Sequence, residues 1–148
     1  MPYQIDQSIK IENTNKATFV CLSNGQTIIV SISAKEKQKL KLFFRKLSKP
    51  LIFKLFTFSF LCAKAIMVSK IDSVAIDCEY VNHERQIKSF ILQILKIEKI
   101  KIPDIWFSRI GKKSPAHIKG YEAMKKKSKG ISVMVTEVLK YYEKINKF

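Results

Sequence analysis

Asn24-Gly25 stands between two stretches rich in β-branched residues, Ala17 to Leu22 and Thr27 to Ile32. An Asn-Gly pair flanked in this way is the strongest short-range hairpin signal, because both residues accept the positive φ that a tight turn of matching twist demands. A third stretch, Ile9 to Glu12, precedes them, so the chain is expected to open as an antiparallel meander of three strands. The period then changes. Ser33-Ala34-Lys35-Glu36 has the spacing of a capping box, and Leu40, Phe43, Phe44, Leu47 and Leu51 follow at helical intervals. Pro50 predicts a break or kink, after which an almost wholly apolar helix runs to about Met67.

Beyond that helix the pattern alternates. Ser73 to Tyr80 reads as a strand, and Asn82 is placed to cap a helix whose buried stripe is Ile87, Phe90, Ile91, Ile94 and Leu95. Ile105 to Ile110 reads as a further strand, Ala116 to Met124 as a short helix, Ile131 to Val135 as an extended segment, and Thr136 as the cap of a last helix ending near Lys147. With 148 residues, 47% of them hydrophobic, the expectation is a single domain over 1–148 that buries its own core without disulfides or structural zinc. Cys21, Cys62 and Cys78 are odd in number and set in apolar surroundings, so reduced core residues of a cytoplasmic protein are expected. MPYQIDQSIKIEN lacks the apolar stretch of a leader. Leu51 to Val68 is the only stretch to weigh as a membrane span; Lys54 and Lys64 leave nine uninterrupted apolar residues between them, too few for a bilayer. A buried or groove-forming helix is therefore expected, with a membrane-surface protein as the competing class.

Charge is the strongest functional signal. The 28 Lys+Arg against 12 Asp+Glu give a net charge of +16, which favours a polyanionic partner, DNA or RNA before membrane. Two basic blocks carry much of it. One holds Lys35, Lys37, Lys39, Lys41, Arg45, Lys46 and Lys49; the other runs from Arg109 to Lys129 and includes Lys112, Lys113, Lys125, Lys126 and Lys127. Between them, residues 72–84 contain Asp72, Asp77, Glu79 and Glu84 and neither Lys nor Arg. Grouped carboxylates inside a basic protein suit a divalent cation flanked by phosphate contacts.

Asp77 and Glu79, two apart on the expected strand, project from one face at its carboxyl end, where open α/β sheets place ligands. Mg²⁺ is the expected cation, with His83 and Glu84 within reach. The same carboxylates can instead cap the following helix or pair with the basic blocks. Gly111-Lys112-Lys113-Ser114-Pro115-Ala116-His117 joins a glycine turn, two lysines, a hydroxyl and helix amides at a point where an anion can sit, and the lysines there and at Lys125 to Lys127 are the candidate nucleic-acid contacts. It is equally an ordinary strand-to-helix loop. Trp106, Phe107, Tyr121, Tyr141 and Tyr142 are either core residues or stacking surfaces for unpaired bases.

The order of elements, with Ile76-Asp77-Cys78-Glu79-Tyr80 on the fourth strand, resembles the ribonuclease H superfamily. The resemblance implies a meander followed by alternating helices and parallel strands. It also implies a metal-dependent nuclease or resolvase-like phosphodiesterase in which Asp77, Glu79 and His117 are catalytic and Asp77 and Glu79 hold the metal. That family has an Asp on its first strand, for which the expected strand offers only Glu12. Glu36 stands where a first-helix carboxylate is wanted, and the helix from Ala116 to Met124 offers His117 or Glu122 where the family's C-terminal helix contributes. A non-catalytic nucleic-acid-binding protein on the same scaffold is the alternative.

Overall fold

The strand that the sequence placed at Ile9 to Glu12 lies earlier. In the computed structural model, which describes residues 3–111, 114–125 and 130–146, the first strand β1 is Tyr3–Ser8. Ile9 takes a left-handed φ of 68° and ends it. The following turn is closed by Lys37, whose Nζ donates to the carbonyls of Lys10 and Asn13 and, at 2.9 Å, to Thr18 Oγ1. Lys37 is fully buried, so one lysine of the first basic block is a structural tie rather than a surface charge.

β2 (Thr18–Asn24) and β3 (Gln26–Ile32) form the expected hairpin around Gly25, which has φ 86°. α1 (Ala34–Lys46) starts at Ser33, whose Oγ accepts from the Glu36 amide at 3.2 Å. Pro50 opens a separate helix, α2 (Pro50–Ser69). Then follow β4 (Ser73–Asp77), α3 (Glu84–Ile97), β5 (Asp104–Ser108), α4 (Pro115–Lys125), β6 (Ile131–Val133) and α5 (Val135–Ile145). Two caps differ from expectation. Asn82 adopts φ 71°, and the cap position of α3 is His83, which makes no side-chain cap. α5 begins before Thr136, because the Glu36 carboxylate accepts from the Val135 amide at 3.0 Å and supplies from a distance the anion that a helix N-terminus favours.

The sheet is six-stranded and mixed, in the order β5-β4-β1-β2-β3-β6. Only β2 runs against its neighbours; β4 and β5 extend one side in parallel and β6 lies parallel to β3 at the other edge. Period-two alternation separates the two faces. Ile5, Val20, Leu22, Val30, Ile32, Val74 and Ile76 point into the core, which α1, α2, α3 and α5 complete. T-shaped ring contacts knit those helices together, among them Phe44 with Tyr142 at 4.8 Å and Phe56 with Phe90 at 5.2 Å. Asp6, Cys21 and Asp77 belong to the opposite face, against which α4 packs across β1, β2 and β3.

α2 is the one described helix long and apolar enough to cross a membrane, and two thirds of its apolar window is buried in the fold. Its two lysines are both paired, Lys54 with Glu12 at 3.8 Å and Lys64 with Glu137 at 2.7 Å. Cys21 and Cys62 are buried and unbridged, whereas Cys78 is only half-buried.

Candidate metal centre

β1 and β4 are parallel neighbours with Ile5 level with Ile76. One residue further along each strand, Asp6 and Asp77 therefore stand side by side on the α4 face. β4 ends at Asp77 rather than running on to Tyr80. The chain turns there, with the Glu79 amide donating to the Asp77 carbonyl at 2.9 Å, and the Glu79 carboxylate comes round beside Asp77. Each of Asp6, Asp77 and Glu79 offers an oxygen within 4.8 Å of the others. All three donors are carboxylate oxygens, the chemistry of a hard divalent cation rather than of zinc or copper. This cluster could hold a metal ion.

The site is built into its surroundings. Asp6 is buried; its Oδ1 accepts from the Gln7 amide at 2.9 Å and its Oδ2 lies 2.7 Å from His117 Nδ1. Asp77 Oδ1 accepts from the Ile110 amide at 2.8 Å, pinning the segment that leads from β5 to α4. Ser114 Oγ accepts from the His117 amide at 3.1 Å and so caps the helix that delivers the imidazole. The helix lies close to the sheet: a side chain at Gly120 would bring a Cβ within 3.0 Å of Ser8 Oγ.

Electrostatics record the crowding. Burial raises the Asp6 carboxyl above its ordinary range, opposed by the His117 hydrogen bond and reinforced by the Asp77 charge. Glu79 is pushed up to about 8, first by burial and then by Asp77 and Asp6, with Lys10 working against them. Carboxylates in this condition gain from a cation that neutralises them.

Of the residues singled out in the sequence, Asp77, Glu79 and His117 come together here. Asp6 on β1, not among those residues, completes the cluster. Glu12 instead accepts from the Tyr80 hydroxyl and pairs with Lys54. Glu36 holds Val135 and Lys39. Glu84 accepts from the Asn82 amide, and neither it nor His83 belongs to the described cluster. Glu122 pairs with Lys119 at 3.7 Å. Lys112, Lys113, Lys126 and Lys127 lie outside the described residues, as does the side chain of Lys125 at the end of α4. The first basic block lies on α1, with Lys49 at the start of α2, in the helical layer on the other side of the sheet. Among the aromatic candidates, Tyr141 and Tyr142 are core, while Trp106 and Tyr121 are exposed. Comparison of the chain with protein-family models, with curated proteins and with solved structures finds no match.

Proposed function

We propose that this chain is a metal-dependent nuclease or resolvase-like phosphodiesterase built on a ribonuclease H-like scaffold, acting on DNA or RNA with Mg²⁺. The observation that carries the reading is the meeting of Asp6 and Asp77, 71 positions apart in sequence, at neighbouring points of two parallel strands with Glu79 beside them. Asp6 stands on the first strand, as the ribonuclease H resemblance requires. The strand order β4-β1-β2-β3, with β2 alone antiparallel, agrees with the same scaffold, to which β6 adds an edge.

Asp6, Asp77 and Glu79 would hold the ion. When bound, Mg²⁺ lowers the pKa of water and neutralises charge on a phosphodiester undergoing displacement. The protein's own contribution is positional. His117 fixes the Asp6 carboxylate from one side and the Gln7 amide from the other; the Ile110 amide holds Asp77. The excess of Lys and Arg supports attraction of the substrate backbone, which releases counterions on binding.

The test is cleavage of duplex, RNA–DNA hybrid and branched substrates in Mg²⁺ and in chelator, beside binding measured from about 50 mM to about 200 mM salt. The proposal expects Mg²⁺-dependent cleavage of at least one substrate and affinity that falls steeply with salt. Salt-dependent binding with no cleavage of any substrate leaves a non-catalytic nucleic-acid-binding protein. Absence of binding at the low-salt end removes both.

A further inference from the structure

A cavity of about 620 Å³ opens at the carboxyl ends of β3 and β6, between the α4 face of the sheet and the first turn of α1. Its position follows from strand register. Asp6 is level with Cys21, and two residues along the same face Ser8 is level with Phe19, Phe19 with Ser31, and Ser31 with Ser132. Phe19, Ser31 and Ser132 thus form a row across β2, β3 and β6 that floors the cavity. Given the rise along a strand and the spacing between strands, the row runs from about 8 Å from Asp6 at Phe19 to about 16 Å at Ser132.

The lining combines two chemistries. Ile9, Ala17, Phe19 and Val133 give apolar surface and the Ser33 and Ser132 hydroxyls give polar groups, while the buried Glu36 carboxylate is held by Val135 and Lys39. Lys16 adds a cation. Pockets of this size, largely apolar with a few placed polar groups, suit small-molecule-sized ligands, among which ring systems are common. Next to a cluster suited to a phosphate-bridging cation, in a chain of net charge +16, the ring with the best match is one attached to a phosphate backbone.

We infer that this cavity receives an unpaired nucleobase of the strand whose phosphate lies at Asp6, Asp77 and Glu79, an inference that rests on the nucleic-acid reading above and specifies its substrate. The apolar walls take the face of the base and the hydroxyls its edge, so the preferred substrate carries a splayed or single-stranded nucleotide beside the phosphate. Uniform duplex cannot fill the cavity without extruding a base.

The experiment measures anisotropy of two labelled strands of equal length without divalent cations, one an ordinary single-stranded oligonucleotide and the other an abasic sugar-phosphate chain. Wild type should prefer the strand with bases by roughly tenfold or more. Ser132→Phe, which fills the cavity from an exposed position on β6, should abolish that preference and keep the affinity for the abasic chain. Met134→Trp narrows the same mouth and gives the answer if Ser132→Phe does not fold. Trp106→Ala should keep the preference. Equal affinity of wild type for both strands overturns the inference, as does a preference that survives in the pocket variants or vanishes in Trp106→Ala alone. No binding of either strand removes it together with the nucleic-acid reading. A preference abolished by Ser132→Phe in a protein that cleaves nothing in Mg²⁺ upholds the pocket and removes the nuclease.

Discussion

His117 Nδ1 lies 2.7 Å from Oδ2 of Asp6, a contact between the first turn of α4 and the middle of β1 that spans 111 residues of chain. The carboxylate is almost fully enclosed and the imidazole is partly open to solvent. Asp6 therefore has its orientation set by a residue that reaches the exterior.

The first prediction concerns that contact. His117→Ala should weaken Mg²⁺ binding by about 10- to 100-fold, the usual consequence of losing a partner that orients a ligand. His117→Gln, which keeps a donor, should recover part of the loss. The measurement is the Mg²⁺ midpoint in a thermal-shift titration. If His117 only packs α4 on the sheet, His117→Ala will lower the metal-free melting temperature and leave the Mg²⁺ midpoint where it was.

A second prediction follows from the raised carboxyls. In the folded, metal-free protein Glu79 keeps its proton up to about pH 8, and Asp6 is shifted in the same direction. The unfolded chain loses both protons near the ordinary carboxylate range, so above it the folded state binds more protons than the unfolded state. Stability must then fall as pH rises through the window up to about 8. Lys37, lowered to about 8 by burial, acts in the opposite sense and only above that window, since there the unfolded chain binds more protons. Mg²⁺ should flatten the fall by holding the carboxylates ionised. Melting temperatures across this range with and without Mg²⁺ decide it: a metal-free curve that rises between about pH 5 and about pH 8, or two curves of the same slope, would count against a shared site.

How much of this could be read from the chain depends on where each residue's partner lies. The hairpin around Gly25, the Ser33 cap and the stripe of α3 are local patterns, and they appear as expected. β1 lies earlier than the β-branched pattern predicts because its alternation is hidden. Gln4, Asp6 and Ser8 look like a solvent face, yet α4 covers that side of β1, and buried Gln7 accepts from the Tyr80 hydroxyl on the other. Ile9 and Ile11 imitate a strand although the left-handed φ at Ile9 ends it. The N-terminus of α5 was misread for a similar reason, since its anion comes from Glu36, 99 residues away. Asp77 and Glu79 were visible as neighbours in sequence; Asp6 was not, because only the pairing of β1 with β4 brings it to them.

A third prediction addresses α2. Phe56, Phe58, Phe60 and Leu61 are buried in the fold and both lysines of the helix are paired. The exposed apolar residues Leu51 and Val68 stand near opposite ends of the helix and do not form a continuous stripe. The purified chain should remain in solution without detergent and should not sediment with anionic vesicles at high salt, where charge attraction is screened. Vesicle binding that persists in high salt would assign α2 to a membrane surface.

The last prediction separates two jobs of Asp77. One is to hold the cation with Asp6 and Glu79; the other is to accept the Ile110 amide through Oδ1 at 2.8 Å. Asp77→Asn keeps an oxygen for Ile110 while removing a charge from a crowded cluster, so the metal-free protein should be as stable as wild type or slightly more so. Asp77→Ala leaves the half-buried amide without its acceptor and should cost about 1–2 kcal/mol relative to Asp77→Asn. Both substitutions should abolish stabilisation by Mg²⁺ and any cleavage, and both should leave binding to nucleic acid intact, because repulsion of phosphate by Asp77 is lost. Denaturant unfolding of the three proteins, repeated with Mg²⁺, gives the comparison. If Asp77→Asn is instead destabilised as much as Asp77→Ala and still responds to Mg²⁺ like wild type, the carboxylate is a loop anchor and the cation, if any, is held elsewhere.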